Sequence, residues 1–206
     1  MKRKPYFLSN ALFACLRLTQ LAIDNKIKYL ITQNVDGLHK RSGLPRSLHS
    51  FVHGCVFTEK CSNSNCQTEF YRDFDVGGLS FQPTGRKCDV CGEDLLDTLL
   101  DWEDALPEAD FERAEVECEK SDLVICLGTS LRIEPVGSLP LRAKKFVIVN
   151  LQVTPKDEDA DLIIKAPVDL VMESLMSHLG YEDNWKETAH PVERVWSGQA
   201  TKKEGD

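Results

Sequence analysis

Apolar residues recur at helical spacing near the start of the chain, at Phe7, Leu8, Leu12, Cys15, Leu16 and Leu18, and this pattern predicts an amphipathic helix packed against a sheet. The cationic opening Lys2-Arg3-Lys4 imitates a secretory signal, but Ser9, Asn10 and Arg17 break the apolar stretch, and no other run approaches membrane-spanning length. Four later segments have the β-branched, mostly apolar character of buried strands: residues 28–32, 122–127, 145–149 and 161–164. An acidic helical stretch over 108–119 precedes the second of these. A closing amphipathic helix is predicted over 168–179, where Val168, Val171, Met172, Leu175, Met176 and Leu179 share a face. From Tyr181 the chain turns polar and irregular, and residues 181–206 read as a flexible tail. The alternation predicts an α/β fold with a Rossmann-like parallel sheet, whose ligands bind beyond the carboxyl ends of the strands. Polar residues stand at those ends: Gln33, Asn34 and Asp36 after the first strand, Gly128-Thr129-Ser130 after the second, Asn150 and Gln152 after the third.

Composition narrows the classes. A chain of 206 residues with 42% hydrophobic content can bury a core, and it reads as one globular unit carrying a small inserted module. The net charge of −8 argues against a generic binder of polyanions, and no nucleic-acid site is evident. Residues 101–122 hold ten acids against Arg113 and Lys120. That segment is either a solvated helix face or a surface that attracts basic protein tails, and it repels phosphate backbones.

The cysteines are more specific. Four residues lie between Cys61 and Cys66, two between Cys88 and Cys91, and 21 between the pairs, the spacing of two knuckles closing on one tetrahedral zinc. Two disulfides are the alternative chemistry, but paired knuckles in a chain without secretory features favour metal. Four thiolates fill the coordination shell, so such a zinc is structural and leaves no position for a reacting water. The module spans 57–94, inserted between residues 1–56 and 95–180 of the larger domain. Cys15, Cys55, Cys118 and Cys126 read as small buried hydrophobes.

Residues 33–54, QNVDGLHKRSGLPRSLHSFVHG, gather amide and carboxylate groups, a turn-permitting Gly37 and, at His53, a base that titrates near neutrality. Taken singly, these are also what a turn and a structural histidine look like. As an ordered string they resemble the sirtuins, NAD-dependent protein deacylases marked by QNxDGLH, then SG, then a catalytic HG. The resemblance runs from about Ala11 to Gly180. It implies NAD as cofactor, with Gln33, Asn34 and Asp36 around the nicotinamide and its ribose. Gly128, Thr129 and Ser130 match the LGTS turn, Asn150 and Gln152 the adenosine-side VNLQ, and Val168 a position near adenine. It makes His53 the general base, with Asn34 as catalytic partner, and His39 a structural residue of the turn. The family's four-cysteine zinc ribbon matches Cys61, Cys66, Cys88 and Cys91, although its first pair usually encloses two residues.

Residues 101–107, DWEDALP, stand where most sirtuins carry a peptide-binding strand. They look like the chromatin-associated branch that includes mammalian sirtuin six and its plant relatives. Asp101 and Trp102 are then candidates to line the acyl-lysine channel, with core packing the other role open to Trp102. The branch implies acylated lysines of proteins as substrate, histone tails among them, and a nuclear location with the cytoplasm as the alternative.

No two glycines are separated by one residue, so the sequence reads as lacking the family's first strand and its GAGxS diphosphate loop. That reading predicts weakened cofactor binding and little deacetylation by these residues alone. Three functions follow. The first is lysine deacylation, in which the substrate amide oxygen attacks the ribose carbon as nicotinamide leaves and His53 activates a ribose hydroxyl. The others are mono-ADP-ribosyl transfer and a non-catalytic interaction module stabilised by zinc.

Overall fold

The computed structural model describes residues 10–181, with side chains from Phe13 onward. Phe7, Leu8, the Leu12 side chain, Lys2 to Lys4 and the expected tail beyond Tyr181 lie outside the described residues. The elements are α1 (Asn10–Ile23), β1 (Leu30–Thr32), α2 (Leu38–Arg41), β2 (His49–Phe51), β3 (Thr58–Cys61), β4 (Glu69–Tyr71), β5 (Pro83–Lys87), β6 (Asp94–Asp97), α3 (Glu108–Lys120), β7 (Val124–Leu127), β8 (Phe146–Val149), β9 (Leu162–Ile164) and α4 (Val168–His178), with short 3-10 turns between some of them. They fall into two compact units, residues 30–111 and the segments on either side of it.

In the flanking unit, β7, β8 and β9 form a parallel ladder, pairing Val124 with Phe146 and Val149 with Ile164. Cys126, Leu131, Phe146 and Ile148 make one buried cluster. A second joins the two amphipathic helices, Leu21 of α1 packing with Met172 and Met176 of α4. The Arg17 guanidinium donates to the Asp169 carbonyl at 3.0 Å, and the Tyr181 hydroxyl to Asp24 at 2.6 Å, so the helices are tied at both ends. All three predicted strands here are present, each starting one or two residues later than expected, and α4 ends one residue earlier. The first helix runs on to Ile23, beyond the apolar repeat that predicted it.

In the central unit, β1 pairs in parallel with β2, Leu30 opposite His49 and Thr32 opposite Phe51. β2 has no counterpart in the sequence pattern, because a strand reading His-Ser-Phe does not look apolar. All three of its residues are buried nonetheless, with two of their side-chain polar atoms bound by the chain: His49 Nδ1 donates to the Pro45 carbonyl at 2.8 Å and Ser50 Oγ to that of Asp110 at 2.7 Å. The inserted module is a four-stranded antiparallel sheet in the order β4-β3-β6-β5. Its core is Phe70 and Leu95 together with Cys61 and Cys88, so the cysteines are part of the packing. Glu59 on β3 has no exposed surface; its carboxylate is ringed by Arg72 at 2.6 Å and by Arg86 and Thr84 at 2.7 Å each. Burial alone pushes a carboxyl up, yet these donors hold Glu59 below its ordinary range. Among the described residues no helix is long and apolar enough to cross a membrane.

Candidate active site and metal centre

The residues after β1 form a tight loop built around two glycines. Gly37 has φ +64°, and a side chain there would meet the Phe57 ring at 3.0 Å and Cys55 Sγ at 3.3 Å, so the turn tolerates only glycine. Asp36 Oδ1 accepts the Leu38 amide at 3.0 Å and fixes the start of α2. Asn34 is exposed, its own amide bound to Thr32 Oγ1 at 3.1 Å. The loop is joined to the HG segment by the Val56 amide, which donates to the Val35 carbonyl at 3.0 Å.

His53 follows β2 and is half-buried. Desolvation lowers its pKa, opposed by the hydrogen bond its ring makes to the Gln33 carbonyl. A neutral imidazole that donates one N–H to a carbonyl keeps its other nitrogen as an acceptor, the state a general base needs. The structure thus brings Gln33, Asn34, Asp36 and His53 into one loop cluster. His39, in the same turn, is shifted down by burial, with Asp36 opposing.

Asp101 and Trp102 lie beyond β6. Asp101 accepts the Trp102 amide at 2.8 Å, and its own amide donates to Asp104 at 2.7 Å, making a closed turn. Trp102 is 85% exposed, which rules out core packing and leaves its indole free to meet another molecule. The segment touches the loop that carries His53 through the Leu100 amide, which reaches the His53 carbonyl at 3.4 Å.

The other predicted contacts collect in the flanking unit at the carboxyl ends of its parallel strands. Gly128 has φ +59° and is exposed; a side chain there would come within 3.4 Å of Val168 at the start of α4. Its amide donates to the Val149 carbonyl at 2.9 Å. Thr129 Oγ1 accepts the Leu131 amide at 3.4 Å, beside an exposed Ser130. The Asn150 amide donates to the Ile164 carbonyl at 3.2 Å, and its side chain to the Gln152 carbonyl at 3.1 Å. Gly128, Asn150, Gln152 and Val168 therefore share one sheet edge, the position at which parallel sheets take nucleotides.

The four cysteine sulfurs lie within 4.8 Å of one another. The Cys61–Cys91 and Cys66–Cys88 separations are 3.3 and 3.8 Å, against about 3.8 Å between thiolates that share a tetrahedral zinc. Thr68 hydrogen-bonds Cys66 and holds its thiol down at about 6, while burial pushes Cys61 up to about 12. Four converging sulfurs are a donor set suited to a dication, whose binding expels their protons. Cys15, Cys55, Cys118 and Cys126 are buried, as small hydrophobes should be.

A cavity of about 350 Å³ in the central unit, lined by Arg46, Phe51, Tyr71 and Asp110 among others, touches none of the loop-cluster residues Gln33, Asn34, Asp36 and His53. Arg46 there is saturated, bridging Glu69 and Asp110 at 2.7 to 3.1 Å. Sequence reasoning missed this ion-paired brace and also Thr98, whose hydroxyl contacts the Cys55 backbone at 3.2 Å. Neither belongs to a motif, and only long-range contacts reveal them.

The chain is similar to several characterised proteins. It is 48% identical over 170 residues to NAD-dependent protein deacetylase SRT1 of Arabidopsis thaliana, covering 80% of this chain and 36% of that one. It is 38% identical over 182 residues to NAD-dependent protein deacetylase Sirt6 of Drosophila melanogaster, covering 82% and 57%. It thus spans from about a third to somewhat over half the length of these relatives. Among solved structures, a Sir2 complexed with a p53 peptide and NAD+ superposes with a TM-score of 0.63 at 27% identity, covering 82% of this chain and 70% of that one. A Sir2 homologue bound to NAD superposes at 0.65 and 28% identity, covering 86% and 66%. The profile of the Sir2 family matches residues 5–135, well over half of the chain, and the protein belongs to that family.

Proposed function

We propose that this chain carries catalytic and cofactor-binding parts of an NAD-dependent deacylase acting on acylated lysines of proteins. The observation that carries this reading is the gathering of His53 with Gln33, Asn34 and Asp36 in one loop cluster, its two segments joined by the Val56 amide on the Val35 carbonyl at 3.0 Å and the His53 ring bonded to the Gln33 backbone. NAD supplies the scissile bond between nicotinamide and ribose. On the protein side, His53 takes the proton of a ribose hydroxyl, Asn34 and Asp36 orient ribose and nicotinamide amide, and Gln33 holds the base. Gly128, Thr129, Ser130, Asn150, Gln152 and Val168 hold the adenosine side, and Asp101 with the exposed Trp102 receives the acyl-lysine. Cys61, Cys66, Cys88 and Cys91 bind one structural zinc in the 57–94 module.

Relatives named for sirtuin six and sirtuin seven support a nuclear location, and the branch resemblance of residues 101–107 extends the substrates to histone tails. The test is release of nicotinamide from NAD, dependent on an acetyl-lysine peptide, by the chain joined to an upstream GAGxS segment that completes the cofactor site, and by the His53→Tyr variant of that same protein. Loss of turnover with retained zinc and fold is expected. A fully active His53→Tyr variant overturns the assignment, and label from NAD ending on protein marks ADP-ribosyl transfer in its place.

A further inference from the structure

The loop that carries His53 is clamped from behind by a single side chain. Thr98 Oγ1 accepts the Cys55 amide at 3.2 Å, and its proton has two acceptors at that same distance, the carbonyls of Cys55 and Thr58. Between His53 and Cys55, Gly54 lies so close to Thr98 that an added Cβ would fall 1.8 Å from the Thr98 carbonyl oxygen. The backbone around the base is therefore pressed flat against the peptide that follows β6, and the Leu100 contact to the His53 carbonyl closes the other side.

Thr98 is itself held by the metal module. The preceding Asp97 is 1% exposed; its carboxylate accepts the Leu99 amide at 2.9 Å and the Gln82 amide at 2.6 Å. β6 pairs with β3 so that Leu95 stands opposite Cys61, and Leu95 packs in the core with Cys61 and Cys88. A continuous path of backbone pairing runs from the four-cysteine cluster along β6 to the hydroxyl that fixes the catalytic loop.

We propose that Thr98 is a positioning residue for His53, acting through the Gly54–Cys55 backbone and coupling the base to the folded state of the four-cysteine module. This rests on the reading of His53 as the base. The hydroxyl holds the loop at the depth where the imidazole meets the Gln33 carbonyl, and without it the ring is free to turn and to exchange tautomers. A misplaced base slows the chemical step without weakening substrate binding, so the effect belongs in kcat and not in KM.

The variants that test this are Thr98→Val, which keeps the shape and removes the hydroxyl, and Thr98→Ser, which keeps the hydroxyl. With zinc retained at one per chain, Thr98→Val is expected to lower kcat about tenfold or more while KM for NAD stays within about twofold. Thr98→Ser should restore kcat. Two readouts need no turnover: the Cys55 amide should exchange about tenfold faster in Thr98→Val, and the ¹⁵N signals of the His53 ring should change from one neutral tautomer to a mixture. Unchanged amide exchange and ring signals in zinc-loaded Thr98→Val overturn the proposal, whatever the activity. If Thr98→Val loses its zinc, Thr98→Ala takes its place under the same readouts. Should His53→Tyr stay active, the reading of the base has failed, a result separate from the Thr98 measurements.

Discussion

A histidine with no exposed surface must stay neutral to remain where it is. His49 is that residue: it is fully buried, its Nδ1 bound to the Pro45 carbonyl and its Nε2 without a partner. Desolvation depresses its pKa from the ordinary 6.5 to about 3, with Arg46, Lys40 and His39 adding repulsion against the Pro45 bond. Because the folded value is the lower one, the unfolded chain binds the proton more tightly. The contribution to stability is complete above about pH 6.5 and is lost progressively as the pH falls towards 3. Between pH 6.5 and 5 this amounts to about 1–2 kcal/mol. His49→Asn, which keeps a donor for Pro45 and cannot titrate, is expected to remove that part of the pH dependence in urea unfolding; identical slopes for variant and parent would show that His49 is not the group responsible. None of this is legible in the sequence. His49 and His53 both sit in the segment HSFVH, and only the buried β2 pairing separates the structural histidine from the one placed to act as a base.

At the level of elements, what could be read and what could not follow from how local the cause is. The strands β7, β8 and β9 announce themselves as apolar runs, and the helix α4 as a repeat on one face, although burial is deepest in β8 and β9 leaves Leu162 exposed. The metal knuckles are legible locally as well, since the spacing of two cysteines alone decides whether they can reach one ion. β2 was hidden because its burial is made possible by partners about 60 residues away, such as the Asp110 carbonyl that accepts from Ser50. The Glu59 hub was hidden for the same reason: Arg72 and Arg86 lie 13 and 27 residues along the chain. That hub yields a prediction. Glu59→Gln leaves two guanidiniums sharing a neutral partner in a buried site, and breaking such a set costs about 3–5 kcal/mol. The module sheet should then melt at markedly lower denaturant concentration, even with zinc in excess. A midpoint equal to that of the parent would mean that the ring of donors contributes nothing net.

For the molecule as a whole, the two compact units draw on different sources of stability. The flanking unit has two apolar clusters of its own, one under the parallel ladder and one between α1 and α4. In the central unit the module core is Phe70 and Leu95 plus two of the metal-binding cysteines, too little to hold four short strands alone. Structural zinc contributes about 10–16 kcal/mol on binding such a set of thiols, as much as the whole stability of an ordinary domain. The module's other anchors, Tyr71 packed with Phe51 and Cys55 and the Glu59 hub, contribute far less. Chelation is therefore expected to act selectively in amide hydrogen exchange. Protection should vanish first in β3 to β6, including the Cys61 amide bound to the Thr68 carbonyl and the Cys88 amide bound to that of Glu93. The Cys55 amide should follow, since its acceptor Thr98 stands at the end of β6. The amides of β7 to β9 and of α4 should keep theirs until higher denaturant. Cys88→Ser should reproduce the pattern without chelator, with zinc content falling below one per chain. Uniform loss across all strands would instead mean that metal and both apolar clusters fold as one cooperative block, and an unchanged exchange profile would mean that the cysteine cluster holds no structural metal.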